Sequence, residues 1–231
     1  MGAKKHLIKT DTQKGGFVFK RPRHTLKGRQ DASAVDRSGL RLKLLKQQAK
    51  AGDLRLLFAD ESEALTHPYL ARAWAKRGAD LRIPAPGQAK KIAMMGALDF
   101  TTNHLSVVTS RTKRSSDFIG LLSELDRLYG PQPGKAQIPV VLVLDNGPVH
   151  TSKLTRQALE ERNHWLTVEW LPKYAPELND IEPAWKALKQ TELAHQTFTD
   201  PDQLDTAIQT AVADRNKERS TRSWGEPRIS A

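Results

Sequence analysis

The chain has 231 residues, no cysteine, 38% apolar and 27% charged residues, and a formal net charge of +11. These values exclude a disulfide framework, thiolate zinc sites and a cysteine nucleophile, and no apolar run approaches the roughly 18 residues a membrane helix needs. Met1 to Thr10 is basic without an apolar centre, unlike a secretory signal, so the composition points to a cytoplasmic protein with one domain-sized core and an extension.

The charge is uneven. Residues 1–50 hold 14 Lys/Arg against 3 Asp/Glu, and the remaining residues balance, so the whole excess lies at the start of the chain. Its densest stretch is Lys20, Arg21, Arg23, His24, Lys27 and Arg29, broken by Pro22 and Gly28. That pattern predicts an extended basic arm suited to a phosphate backbone or a minor groove, the alternative being a solvated tail. Leu40, Leu42, Leu44 and Leu45 predict a short helix running to about Lys50, which links the arm (1–50) to a main domain (51–231). Leu54–Ala59 predicts a strand buried on both faces and ending at Asp60. Further strands are predicted at Asp80–Ile83, Lys91–Phe100 and His104–Thr109. A helix is predicted over Ser115–Tyr129, capped by Ser115 or Ser116 and stopped at Gly130. Ile138–Leu144 is a second strongly apolar strand, ending at Asp145. A helix over Thr151–Arg162, a strand over Leu166–Leu171, a helix from Asn179 past Lys189 and a last helix over Pro201–Lys217 complete the pattern. The fold class is α/β: a mixed five-stranded sheet flanked by helices, with a basic N-terminal arm.

Two buried-type strands each end in aspartate. If they are neighbours, Asp60 and Asp145 converge where α/β sheets gather ligands. Paired carboxylates repel and call for a counter-charge; without cysteine, the partner is a hard divalent cation such as Mg²⁺ or Mn²⁺. The residues alone leave open whether each aspartate is a ligand or a strand-end cap. Glu177 and Glu182 are candidates for a third acid. For Glu182 a capping box with Asn179 is an equal reading, while Ile181, Trp185 and Leu188 form a buried stripe.

Three blocks then stand out in order: Leu54–Ser62 with Asp60-Glu61, Val143–Lys153 with Asp145-Asn146 and His150, and Leu171–Trp185 with Pro176-Glu177-Leu178-Asn179 and Ile181-Glu182. Together they closely resemble bacterial insertion-sequence transposases of the Tc/mariner superfamily, DDE endonucleases with a ribonuclease H-like domain. The resemblance spans roughly Phe17 to Trp224, and 36 residues separate Asp145 from Glu182. Asp180 stands where the family usually has proline. The family usually begins with helix-turn-helix DNA-binding modules, and this chain resembles it only from the end of that region onward.

The resemblance implies that Asp60, Asp145 and Glu182 hold two Mg²⁺ or Mn²⁺ ions for strand cleavage and strand transfer of an insertion sequence. It also implies double-stranded DNA as partner, transposon ends and a TA target, a homodimeric synaptic complex, and no membrane. Asn146 and His150 are supporting candidates, each with a plain loop role as the alternative. Lys20, Arg21, Arg23, Lys27, Arg29, Lys153 and Lys173 are candidate DNA contacts, as are Arg156 and Tyr174. Trp185 is expected in the core, and Glu61 is expected to face away from Asp60 in a structural role. Competing readings are a non-catalytic DNA-binding remnant and a stand-alone ribonuclease H-like nuclease.

Overall fold

The computed structural model describes residues 27–84 and 87–220. Five strands form one sheet in the order β3-β2-β1-β4-β5: β1 Arg55–Leu65, β2 Lys91–Asp99, β3 Leu105–Ser110, β4 Val140–Leu144 and β5 Leu166–Trp170. The first three pair antiparallel, and β1, β4 and β5 pair parallel. Six α-helices flank it: α1 Ala32–Ala51, α2 Ser115–Tyr129, α3 Pro148–Thr151, α4 Lys153–Glu160, α5 Glu182–Ala187 and α6 Pro201–Ser220.

Side-chain alternation along β1 and β4 assigns the two faces. Leu56, Phe58, Val141 and Val143 join one core with Leu42, Leu45, Trp185, Leu188, Leu204 and Ile208, drawn from α1, α5, the turn after it and α6. Leu57, Ala59, Leu142 and Leu144 join the other, with Phe118, Leu121, Leu122 and Leu125 of α2 and Ala158 and Leu159 of α4. Each core is sealed by apolar surface, the main favourable contribution to folding.

Several predicted elements shift. The linking helix runs from Ala32, because Asp31 accepts hydrogen bonds from the Ser33 and Ala34 amides at its start; Gly52, at φ 85°, closes it. Strand β1 does not end at Asp60. The parallel ladder with β4 stops at Phe58–Val143, but the antiparallel ladder with β2 carries β1 on to Leu65. No strand forms over Asp80–Ile83, where the polar excursion between β1 and β2 has no partner edge. Helix α2 is capped by Arg114 rather than by a serine, its amide donating to Asp117 Oδ2 at 2.8 Å. The predicted helix over Thr151–Arg162 is split into α3 and α4. Ser152 lies between them in extended backbone, and its hydroxyl accepts the Thr155 amide at 3.1 Å. Helix α5 starts at Glu182, three residues late, and continues as a π-helical turn over Leu188–Glu192.

Candidate active site

Parallel pairing runs from Arg55–Val140 to Phe58–Val143, so Asp60 and Asp145 each lie two residues beyond its last pair. By alternation both belong to the face that carries α5. Gly96 is the antiparallel partner of Asp60. A β-carbon on Gly96 would come 2.7 Å from Trp185 Cζ2, so the missing side chain is what lets the indole lie on the sheet. Trp185 is buried, as are Ile181 and Leu188, which is the stripe expected from the spacing. Seating that stripe brings Glu182, three residues before Trp185, to the same mouth as the two aspartates.

Asp60, Asp145 and Glu182 line one cavity of about 460 Å³, together with Asn146, Gly147, Lys173, Tyr174 and Asn179. The capping-box alternative for Glu182 does not form. Asn179 is buried and donates from Nδ2 to the Ala59 carbonyl at 3.1 Å, while its backbone amide bonds Pro176. Thus Asn179 ties the loop before α5 to β1, and the Glu182 carboxylate is left to the cavity.

Hydrogen bonds orient the aspartates. Asp60 Oδ1 accepts the Glu61 amide at 2.8 Å; Asp145 Oδ1 accepts the Gly147 amide at 2.8 Å and faces His150 Nδ1 at 2.6 Å. Each aspartate thus keeps its Oδ2 for a cation. Burial, then the charges of Glu61, Glu182 and Asp145, push the Asp60 carboxyl up to about 7. Three carboxylates lining one cavity, with no sulfur donor, could hold Mg²⁺ or Mn²⁺, while the donor atoms of Glu61, Asp145 and His150 lie within 4.8 Å of one another.

His150 is fully buried against the Phe118 ring, with centroids 4.6 Å apart. Its Nε2 lies 3.1 Å from Glu61 Oε2, an ion pair outside the angles of a directed hydrogen bond. Burial disfavours charge on this ring, but Asp145 and Glu61 overcome it and raise the pKa to about 9. The hydrogen bond from His150 in turn holds Asp145 below the ordinary carboxylate range.

Other predicted residues fall in different places. Asn146 donates to the Leu171 carbonyl, joining the end of β4 to the loop after β5. Tyr174 adopts φ 63°, and Gln30 Nε2 donates to its carbonyl at 2.6 Å and to Glu177 Oε1 at 2.8 Å. Lys27 and Arg29 lie in a 3₁₀ turn just before Gln30 and do not line the cavity. Lys173 lines the cavity. Lys153, at the start of α4, does not; Arg156 lines a neighbouring groove that shares Asn146. Asp180, the departure from the family's proline, pairs with Lys46 of α1 at 2.7 Å. Lys20, Arg21 and Arg23 lie outside the described residues.

Two residues beside the cavity acids have partners that the sequence did not indicate. Glu61 does face away from Asp60, but that direction leads to His150. Lys189, in the π-helical turn, donates to Ser62 Oγ at 2.7 Å. Burial pulls its ammonium below the ordinary value, against the opposing charges of Glu182, Glu63 and Asp60. Its spacing of seven from Glu182, two helical turns, was the available signal.

Residues 55–205 match the family described as DDE superfamily endonuclease. The chain belongs to the DDE superfamily of endonucleases. A 136-residue stretch of this DDE chain is 32% identical to the uncharacterized 39 kDa protein of insertion element IS630 from Shigella sonnei, covering 59% of the chain and 38% of that relative. Among solved structures, the Mos1 mariner transposase paired-end complex with Mn is similar at a TM-score of 0.58 and 17% identity, over 93% of this chain and 68% of that one. The Mg complex of the same transposase is similar at 0.57 and 18%, over 92% and 64%. The sheet and its flanking helices therefore have the ribonuclease H-like fold.

Proposed function

We propose that this DDE chain is the catalytic part of a transposase that cuts an insertion sequence from DNA and joins its ends to a target, using two divalent cations held by Asp60, Asp145 and Glu182. The observation that carries this reading is the shared cavity: three acids from β1, the residue after β4 and the start of α5 line it. Bound there, Mg²⁺ or Mn²⁺ would activate a water or a DNA 3′-hydroxyl and offset charge on the leaving oxygen. The chain's own contribution is positioning. Backbone amides fix one oxygen of each aspartate and Asn179 holds the α5 approach. Lys173 and Lys189 supply cationic charge at the rim and flank of a site built to receive phosphodiester. Double-stranded DNA as partner, a dimeric synaptic complex and a TA target belong to the same proposal, supported by the likeness to the Mos1 paired-end complexes.

The test is Mg²⁺- or Mn²⁺-dependent nicking of DNA by the full chain and by Asp145→Asn. The variant is expected to keep salt-sensitive DNA binding and to lose more than about a hundredfold in cleavage, because outer-shell partners alone are worth about ten- to a hundredfold. Equal cleavage by both proteins overturns the metal site; DNA binding without cleavage by either leaves a DNA-binding remnant.

A further inference from the structure

We infer that Glu61 is a positioning residue for the cation site, acting through His150 to fix the carboxylate of Asp145; the inference rests on the reading of Asp60, Asp145 and Glu182 as cation ligands. Glu61 follows Asp60 directly in β1, so alternation sends the two side chains to opposite faces of the sheet. Asp60 enters the cavity. Glu61 enters the layer under α2, where the His150 ring is fully buried against Phe118.

Both ring nitrogens face a carboxylate. Nδ1 is 2.6 Å from Asp145 Oδ1, and Nε2 is 3.1 Å from Glu61 Oε2. The other Glu61 oxygen, Oε1, lies 3.4 Å from Lys113 Nζ, so the row of groups runs Lys113, Glu61, His150, Asp145. His150 sits on α3, a helix of four residues, and its buried ring packs on Phe118 with a carboxylate at each nitrogen. Glu61, carried by the central strand, is the fixed end. Its contact fixes the ring plane, and the ring together with the Gly147 amide holds Asp145 Oδ1, which turns Oδ2 toward the cavity. A group that orients a ligand through a histidine in this way affects metal affinity without touching the metal.

The experiment uses the full chain and Mn²⁺ alone, with free Mn²⁺ read by electron paramagnetic resonance, and with melting temperature and DNA retention measured in parallel. Wild type is expected to bind Mn²⁺ and Asp145→Asn to lose it. Glu61→Ala is expected to weaken Mn²⁺ binding about ten- to a hundredfold, to lower the melting temperature because buried His150 loses an ion-pair partner, and to leave DNA retention unchanged. His150→Ala is expected to weaken it similarly, and the double variant no further than His150→Ala alone, because the two act in series. If Asp145→Asn binds Mn²⁺ as wild type does, the site reading fails and this inference with it. If Asp145→Asn loses Mn²⁺ while Glu61→Ala binds as wild type, or the two single losses multiply, the positioning role is overturned and the site reading survives. A loss of Mn²⁺ binding that comes with a loss of DNA retention assigns Glu61 a purely structural part and also overturns it. Should Glu61→Ala not fold, the isosteric Glu61→Gln replaces it: a drop of about threefold or more supports the role, and wild-type affinity overturns it.

Discussion

Asp60 and His150 show opposite responses to burial. Asp60 is raised to about 7, so its folded form favours the proton: any stability this gives is present below the ordinary pKa of 3.8 and is lost as pH rises through about 7. His150 is raised to about 9, so its stabilising charge is complete below 6.5 and is lost as pH rises through about 9. In a chelator, Asp60→Asn is therefore expected to melt above wild type at pH 8 and to differ less at pH 5, as scanning calorimetry at both pH values would show. A gap that is constant across pH would mean that Asp60 does not titrate in this window. The same proton must leave when a cation binds, so Mn²⁺ affinity is expected to fall as pH drops below about 7, up to about tenfold per unit for one proton. Titration at pH 6, 7 and 8 measures it. Among residues, Asp60 and Asp145 were legible as acids closing apolar runs, whereas Glu182 stood out only through the motif resemblance. Glu61 was not legible, because alternation was read as distance: the opposite face of β1 is remote from Asp60 but adjacent to the histidine that holds Asp145.

At the scale of elements, the seating of α5 decides where Glu182 stands. The indole of Trp185 lies where a β-carbon on Gly96 would be. Gly96→Ala is expected to lower stability by about 1–3 kcal/mol, as overpacked cores do, and to weaken Mn²⁺ binding as α5 is displaced. Denaturant unfolding and Mn²⁺ titration measure the two effects; a stability loss with unchanged Mn²⁺ affinity would separate Trp185 packing from the position of Glu182. The apolar stripe of α5 was visible in sequence, since three residues at helical spacing need no tertiary information. The start of the helix was not. Asn179 looked like a cap because its side chain is good at capping, but a long-range bond to the Ala59 carbonyl takes its amide instead. Likewise, β1 was cut short at Asp60 because the change from apolar to acidic residues there resembles a strand end; the antiparallel partner β2, far along the chain, extends it. The π-helical turn that carries Lys189 has no local signature, although such turns are frequent at functional sites.

For the whole molecule, the balance of charge and the tie between α1 and the catalytic loop belong together. The cationic excess lies in residues 1–50. Helix α1 and the residues just before it are fastened to the rest through Gln30 to Tyr174 and Glu177, Lys46 to Asp180, and Arg41 to Glu169. Half-exposed pairs of this kind are each worth about 0–1 kcal/mol, so the buried Leu42, Leu45 and Ala49 do most of the anchoring. Neutralising Lys20, Arg21, Arg23, Lys27 and Arg29 together is expected to flatten the slope of log affinity against log salt for duplex DNA, by up to about 4. Mn²⁺ binding should be untouched. Fluorescence anisotropy from 50 to 200 mM salt checks the first; an unchanged slope would make this stretch a solvated tail.

The two aspartates follow closely on the β1–β4 ladder of peptide hydrogen bonds, which no loop between strands enters. Lengthening the segment of residues 66–90 or of residues 131–137 should therefore be tolerated, because neither enters the β1–β4 pairing. A single extra residue between Arg55 and Asp60 should not be. It would flip the aspartate to the histidine's side of the sheet and turn its predecessor into the cavity, an inversion that no loop could repair.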